Sequence, residues 1–390
     1  MTQQPLDVLI APDSFKGSLT SVEVARALAD GWHCARPGDR VELAPLADGG
    51  QGTLVAIEAA GGWEWRETEV HGPDFAPVRA KWLSSPDGRS AVIEMAEAAG
   101  LSLIPSERRR TTDFTSMGTG ELIRAAIDAG ARDITLGIGG SATTDGGAGI
   151  LTVLGVSLRD ADGRPLAEPP NPPVAIALSR VTTVDLSRLD PRLAQVELQI
   201  ACDVTNPLLG SDGAAAIYGP QKGASPDDVE VLDSALATYG NALEAATGRR
   251  ERATPGAGAA GGVGFGLLCL TDHFRSLELV PGVDVVMAAA DLAGKLERAD
   301  LVITGEGRID AQTAFGKTAL GVARAAKAAG VPCIAVGGGV EPGGIEALAD
   351  LAIVVPVVER PMSGEEAMSA GPGPLERCGE RLARLVGLAS

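Results

Sequence analysis

The order of local signals along this chain constrains its fold more than any single motif. Short β-branched or leucine-rich runs recur, each breaks into a polar, glycine-bearing loop, and each loop feeds an alanine-rich stretch with helical spacing. Such alternation builds a parallel sheet covered by helices. Val8-Leu9-Ile10-Ala11 reads as the first strand, followed by a loop over residues 12–17. Ser18 or Thr20 then caps a helix through Val22, Val24, Ala25, Leu28 and Ala29. Val41-Glu42-Leu43 precedes the loop ADGGQGT and a helix reaching Ala60. Residues 63–95 read as strands and hairpins, with turns at Gly72-Pro73 and Asp87-Gly88. Leu301-Val302-Ile303-Thr304 opens the long loop GEGRIDAQTAFGK and a helix over 318–329, and further strands follow at 332–336 and 352–355. The C-terminal units read as half of a doubly wound sheet and the two N-terminal units as the rest. The expectation is an α/β protein: a discontinuous Rossmann-like parallel-sheet domain from residues 1–70 and 286–390, with a second α/β domain, residues 71–285, inserted. The active site is expected in the cleft between them.

A length of 390 residues is enough for two such cores. The charge balance, 33 Lys+Arg against 51 Asp+Glu for a net −18, opposes an electrostatic grip on nucleic acid. It leaves room for a basic pocket that takes a small anion. The five cysteines form no C-x-x-C pair and read as reduced thiols. The start MTQQPLDVLIAPDSF lacks the basic and apolar regions of a signal peptide, and no apolar run reaches the ~18 residues of a spanning helix. A cytoplasmic protein with no membrane partner is expected. Three histidines argue against a histidine-rich metal site. No heptad stands out, and a homo-oligomer is compatible with the sequence.

In open α/β sheets, ligands sit where strand carboxyl ends feed helices. The loops at those positions are APDSFKGS, ADGGQGT, GIGGSATTDGGAG, ACDVTNPLLG, GPQKG and TGEGRIDAQTAFGK. Glycine lets backbone N–H groups converge on an anion, and a helix N-terminus adds partial positive charge. Carboxylates suit Mg²⁺ or proton removal, and lysines suit phosphate or carboxylate. Phosphoryl transfer from a nucleotide needs that mixture. Each loop also has a plain reading: Asp48-Gly49-Gly50 as a turn, Ser18 and Thr20 as caps, Lys222 as a solvated surface lysine, Cys202 as packing at a strand end.

Two other motifs compete. GIGGSA fits G-x-G-x-x-A after a strand, with Asp160 or Asp162 near the spacing of a ribose-binding acid, which would make the chain a NAD-dependent dehydrogenase of a small hydroxy acid. The acid, however, lies in the turn-like DADG. AQTAFGKT approaches the Walker A pattern G-x-x-x-x-G-K-[ST], but Ala311 stands at its first glycine. A non-catalytic regulator that binds a sugar acid or nucleotide is a further alternative, although it has no need of several carboxylates beside lysines.

Taken together, the loops resemble those of the bacterial type I glycerate kinase family over nearly the whole chain. The matching stretches are APDSFKGSLTS (11–21), PLADGGQGT (45–53), GTGELI (118–123), GIGGSATTDGGAG (137–149), ACDVTNPLLG (201–210), GPQKGA (219–224), GAGAAGGVGFGLL (256–268) and DLVITGEGRIDAQTAFGK (300–317). The resemblance implies a two-domain α/β enzyme that phosphorylates D-glycerate with ATP and Mg²⁺, with 2-phosphoglycerate as the product usually assigned. Gln51 departs from a usual glutamate, Thr144 from a usual asparagine, LAEPPNPPVAIAL from a glycine-rich stretch, and GGGV (337–340) is atypical.

Within that picture the catalytic candidates are Lys16, Asp203 and Asp310. Lys16 is expected to contact an anion. Asp203, directly after the strand-like run 198–202, is expected to take the proton from the glycerate hydroxyl. Asp310 clusters with Glu306 and Arg308 around metal and phosphate charge. Asp13, Ser14, Asp48, Asn206 and Arg308 are assigned to glycerate. Gly139, Gly140, Ser141, Thr143, Lys222 and Lys317 are assigned to ATP, and Asp145 and Glu306 to the metal.

Overall fold

The computed structural model describes residues 4–50, 52–166, 174–315 and 318–389. In chain order its strands are β1 (Asp7–Pro12), β2 (Arg40–Leu43), β3 (Glu64–His71), β4 (Pro77–Ser84), β5 (Ser90–Glu94), β6 (Asp133–Gly137), β7 (Ser157–Arg159), β8 (Thr183–Asp185), β9 (Glu197–Ala201), β10 (Ser276–Val280), β11 (Leu301–Ile309), β12 (Cys333–Val340) and β13 (Ile353–Pro356). The chain divides into two compact units. The first takes in the described residues up to Asp48, Val55–Gly62 and those from Val283 onward; the second takes in Gly49–Leu54 and Trp63–Gly282. The boundary expected at residue 70 falls earlier, because β3 pairs antiparallel with β4 along its whole length, from Glu64↔Ser84 to His71↔Pro77.

In the first unit the sheet runs β13-β12-β11-β1-β2, all parallel. Counted within the unit this is the order 2-1-3-4-5, the flavodoxin-like variant of the doubly wound fold, whose switch point lies between β1 and β11. Its core joins Val8, Ile10, Leu28, Trp32, Ile303, Val336 and Leu382. The helix Ser21–Ala35 starts where its sequence allows: Thr20 caps it, and Glu23 completes a capping box by accepting the Thr20 backbone N–H. β11 is longer than its apolar run. The GEGRI stretch, read from sequence as loop, continues the strand to Ile309 because β12 also continues through its glycines and pairs with it as far as Ile309↔Val340. The ATP role expected of Lys317 lies outside the described residues, as does Gln51.

The second unit has the order β10-β9-β6-β5-β4-β3, parallel from β10 to β5 and antiparallel at β4 and β3. Ile93, Leu136, Ile150, Ile200, Leu236 and Phe265 lie in its core. Asp160, the acid of the dehydrogenase reading, accepts the backbone N–H groups of Asp162 and Arg164 and so closes a turn. Among the described residues no helix is long and apolar enough to cross a membrane.

In the first unit, the helices Ser21–Ala35 and Gly373–Ala389 pack backbone against backbone. A Cβ at Gly31 would lie 1.8 Å from the Glu376 carbonyl oxygen, and one at Gly379 would lie 2.3 Å from that of Leu28. Gly31→Ala is therefore expected to destabilise the protein by about 1–3 kcal/mol, the usual cost of overpacking. Gly38→Ala, where the added atom meets nothing within 4 Å, should stay within about 0.5 kcal/mol of wild type. Urea denaturation of both variants checks this, and equal midpoints would show that the helices separate at no cost.

Candidate active site

Parallel pairing sends every strand's carboxyl end to the same edge of its sheet. In the first unit that edge gathers Asp13, Lys16, Asp48 and Glu306. Asp13 follows β1 at the switch point, its N–H bonded to the Gly305 carbonyl of β11. Its carboxyl is buried, accepts the Thr318 hydroxyl at 2.6 Å through Oδ2 and the Ser14 N–H at 2.6 Å through Oδ1. Burial pushes this carboxyl above its ordinary value, the Thr318 bond opposes the rise, and nearby Asp48 adds to it. Lys16 is exposed, and its Nζ meets Asp48 Oδ2 at 2.6 Å. That bond raises the lysine above its ordinary value, and the charges of Asp13 and Glu306 act in the same direction. Glu306 is buried within β11, and its Oε1 accepts the Thr313 hydroxyl at 2.7 Å.

Asp310 is engaged within its own loop, and Arg308 of β11 with Glu341. Asp310 Oδ1 accepts the Gln312 N–H at 2.8 Å. Arg308 is exposed and pairs with Glu341, with Asp310 Oδ2 3.7 Å from its Nε. An anion would have to compete with Glu341 for this guanidinium. Thr313 and Thr318, which orient the two buried carboxylates, carried no role in the sequence reading, since a threonine near a helix start reads as a cap.

In the second unit, Glu94 of β5, Gly137 of β6, Ala201 of β9 and Val280 of β10 form one cross-sheet row at the carboxyl edge. The loop after β6 therefore springs from the centre of that edge, with Asp203 beside it. Ser141 Oγ and the Thr143 carbonyl oxygen accept from Lys222 Nζ at 2.9 and 2.6 Å. Lys222 is thus no surface lysine. It is fully buried, and burial depresses its ammonium from 10.5 to about 7. Contact with ATP, expected of Lys222, gives way here to a strut inside the loop. Among the described residues, buried Thr143 Oγ1 has no hydrogen-bond partner.

Asp145 requires a correction. Its carboxylate has no solvent exposure and accepts the Ser116 N–H and Oγ–H, each at 2.8 Å, and the N–H groups of Gly147 and Gly149, each at 3.2 Å. With four protein donors on its two oxygens and no solvent exposure, it pins the loop to the start of the helix Met117–Asp128 and does not fit the metal role. Asn206 is likewise spent internally: its Nδ2 donates to the Asp212 carbonyl and its Oδ1 accepts the Tyr218 hydroxyl at 2.6 Å. Asp203 is exposed, and its Oδ1 accepts the Gly282 N–H at 2.8 Å, so part of its capping role is realised.

The glycines of the loop serve the chain's own backbone. A Cβ at Gly261 would lie 2.0 Å from the Thr143 carbonyl oxygen, and one at Gly266 would lie 2.3 Å from that of Gly146. Gly139 approaches Gly50 in the same way, at 2.9 Å from its Cα. Gly140 supplies a positive φ of 71° and offers its carbonyl to the Leu101 N–H.

A family model described as the glycerate kinase family matches residues 8–387. The chain belongs to the glycerate kinase family. A glycerate kinase of Halalkalibacterium halodurans is 44% identical over 378 residues, covering 96% of this chain and 97% of that protein. The glycerate 2-kinase of Escherichia coli is 44% identical over 333 residues, 85% of each. Among solved structures, a glycerate kinase 2 from Salmonella typhimurium LT2 superposes with a TM-score of 0.85 at 40% identity and covers 99% of both chains. The family is one of phosphotransferases, which agrees with the acidic and basic groups at the two sheet edges.

The buried ammonium has a readable consequence. Because the folded value of Lys222, about 7, lies below its ordinary 10.5, the unfolded chain holds the extra proton between those limits. Stability therefore climbs with pH across that window. Lys222→Met should remove about 2 kcal/mol of the gain between pH 7 and 9. Denaturation of both proteins at the two pH values checks this, and identical gains would show that the ammonium is not desolvated.

Proposed function

We propose that this protein transfers the γ-phosphoryl group of ATP to D-glycerate, giving 2-phosphoglycerate and ADP. The observation that carries the reading is the group Asp13, Lys16, Asp48 and Glu306 at the β1/β11 switch point, in a chain of this family. A cation beside buried carboxylates is what an anionic substrate and a transferring phosphoryl group require.

Mg²⁺ fits the donor set there. Asp13 and Glu306 are hard oxygen donors, and each carboxylate is oriented by a threonine hydroxyl. Among the described residues no group of three or more His, Cys, Asp or Glu is assembled to hold a metal. Mg²⁺ is commonly held by one or two carboxylates together with phosphate oxygens. When bound, Mg²⁺ would neutralise charge on the phosphates. Lys16 would draw the glycerate carboxylate or the transferring phosphate, exchanging part of its bond to Asp48. The loop after β6, with Gly139, Gly140, Ser141 and Thr143 stiffened by Lys222, would take the nucleotide.

In the reaction the glycerate hydroxyl oxygen bonds to the γ-phosphorus as the bond to the bridging oxygen breaks, and ADP leaves with that oxygen. The hydroxyl proton passes to a carboxylate, and Asp203 is the proposed acceptor, because its side chain is exposed at a sheet edge while its backbone is held by the neighbouring strand end. Asp310, half-buried and bonded within its loop, is the second candidate.

Purified protein with MgATP should form ADP only when D-glycerate is present, and phosphorus NMR should place the new phosphate on the 2-hydroxyl. No glycerate-dependent ADP from folded protein would sink the reading. Asp203→Asn keeps an oxygen for the Gly282 N–H and removes the basicity. It should bind both substrates yet turn over at least about a hundredfold more slowly. An unchanged kcat would leave Asp203 as a cap and move the role to Asp310.

A further inference from the structure

Glu94 ends β5, and nothing in its sequence setting marks it as more than the polar end of a strand. It is 4% exposed. Its Oε1 accepts the Leu54 N–H at 2.7 Å, and the N–H groups of Gly52 and Thr53, the latter bonded to the Gly50 carbonyl at 3.3 Å, also favour its charged form. Leu54 lies in the first turn of the helix Thr53–Ala60, where N–H groups have no partner within the helix. Such a carboxylate could simply be a helix cap reached from another element. Three further observations argue for more.

The segment it holds, Gly49–Leu54, follows directly on Asp48. At that same end, Gly49 and Gly50 rest on the end of β6 and the loop after it. A Cβ at Gly137 would lie 3.0 Å from the Gly49 carbonyl oxygen, and one at Gly139 would lie 2.9 Å from Gly50 Cα. Gly137 is also the register partner of Glu94 itself. Within the second unit, one carboxylate therefore anchors the stretch of chain that rests on the end of β6 and the loop after it. Finally, the group is held at a cost. No ion pair compensates it among the described residues, and the charged neighbour that acts on it is Glu97 of the helix Met95–Ala99. Burial above all, with Glu97 adding, pushes its carboxyl up to about 7, against the lowering effect of the three N–H groups. A cap needed only for stability would be better served on the surface, as Thr20 is.

We propose that Glu94 is a positioning residue for phosphoryl transfer: by accepting the Leu54 N–H and attracting those of Gly52 and Thr53, its carboxylate anchors residues 52–54 and so keeps the neighbouring Gly49 and Gly50 against the loop after β6. The inference rests on the kinase reading above for its kinetic consequences, though the clamp itself can be read without turnover. The ionised form attracts all three N–H groups and accepts that of Leu54, whereas the protonated form turns part of that acceptor into a donor. The clamp therefore tightens as pH rises through 7 and loosens below it.

Two measurements on the full-length protein test this. In hydrogen exchange, corrected for the intrinsic pH dependence, the amides of residues 52–54 in wild type should lose protection as pH falls from 8 to 6. Glu94→Gln should leave them faster-exchanging at both values, with the rest of the second unit unchanged. In steady-state kinetics, wild-type kcat/KM should rise with an apparent pKa near 7. Glu94→Gln should lack that limb and lie roughly tenfold to a hundredfold below the wild-type plateau, the scale of a small misplacement of reacting groups. Glu94→Gln with the wild-type limb and full kcat/KM, or pH-independent protection in wild type, overturns the proposal. Should wild type not phosphorylate glycerate at all, the kinase reading fails while the exchange experiment still judges the clamp. Should Glu94→Gln not fold, the wild-type exchange profile alone decides it.

Discussion

The second unit depends on how closely its loops let backbone approach backbone. The stretch GGSATTDGG meets the GAGAAGGVGFG segment with separations that leave no room for a side-chain carbon: 2.0 Å at Gly261 and 2.3 Å at Gly266 for an added Cβ. Buried peptide groups at such distances must be hydrogen-bonded or they cost free energy. Asp145 meets that requirement by accepting four donors from two neighbouring segments. Lys222 does the same for the Thr143 carbonyl from the other side. Loss of either would leave the partner groups buried and unpaired, so the loop behaves as a rigid part of the core rather than as a flexible lid.

Rigidity of that kind is what a nucleotide site needs, because groups aimed at a transferring phosphate act best when they need not reorganise. The first unit reaches the same end differently. There, the parallel order of β1 and β11 sets Asp13 against Gly305, and threonine hydroxyls hold Asp13 and Glu306 in fixed orientation. The cation is left on the exposed side, on Lys16, where in the proposed reaction exchange of Asp48 for a substrate anion would require little desolvation. Buried acids and an accessible lysine divide the work by environment.

Much of this was legible in the chain. Ser18 or Thr20 announces a helix cap, the apolar runs at 8–11 and 301–304 announce parallel strands, and the sequence order of glycine-bearing loops carries the family resemblance. The extent of β11 was not legible. GEGRI has neither apolar alternation nor β-branched content, and it becomes strand only because β12 extends alongside it. The glycines of GGSATTDGG were read as room for a ligand. In fact the same compositional signal arises when the chain must admit its own backbone, and sequence alone does not separate the two. Asp145 and Lys222 illustrate the point, since a carboxylate and a lysine in glycine-rich loops look alike whether they face a phosphate or a peptide carbonyl.

The sequence by itself determined the alternation of strands and helices, the family, and the set of loops that carry the chemistry, because each of these rests on local spacing and residue type. Only the tertiary structure decided which polar groups are spent on the fold and which remain available. That division depends on burial and on partners far away in the chain: Ser116 for Asp145, Thr318 for Asp13, Leu54 for Glu94. A carboxylate's character is set by how many donors reach it and how much water it keeps, and neither quantity exists until the chain has folded.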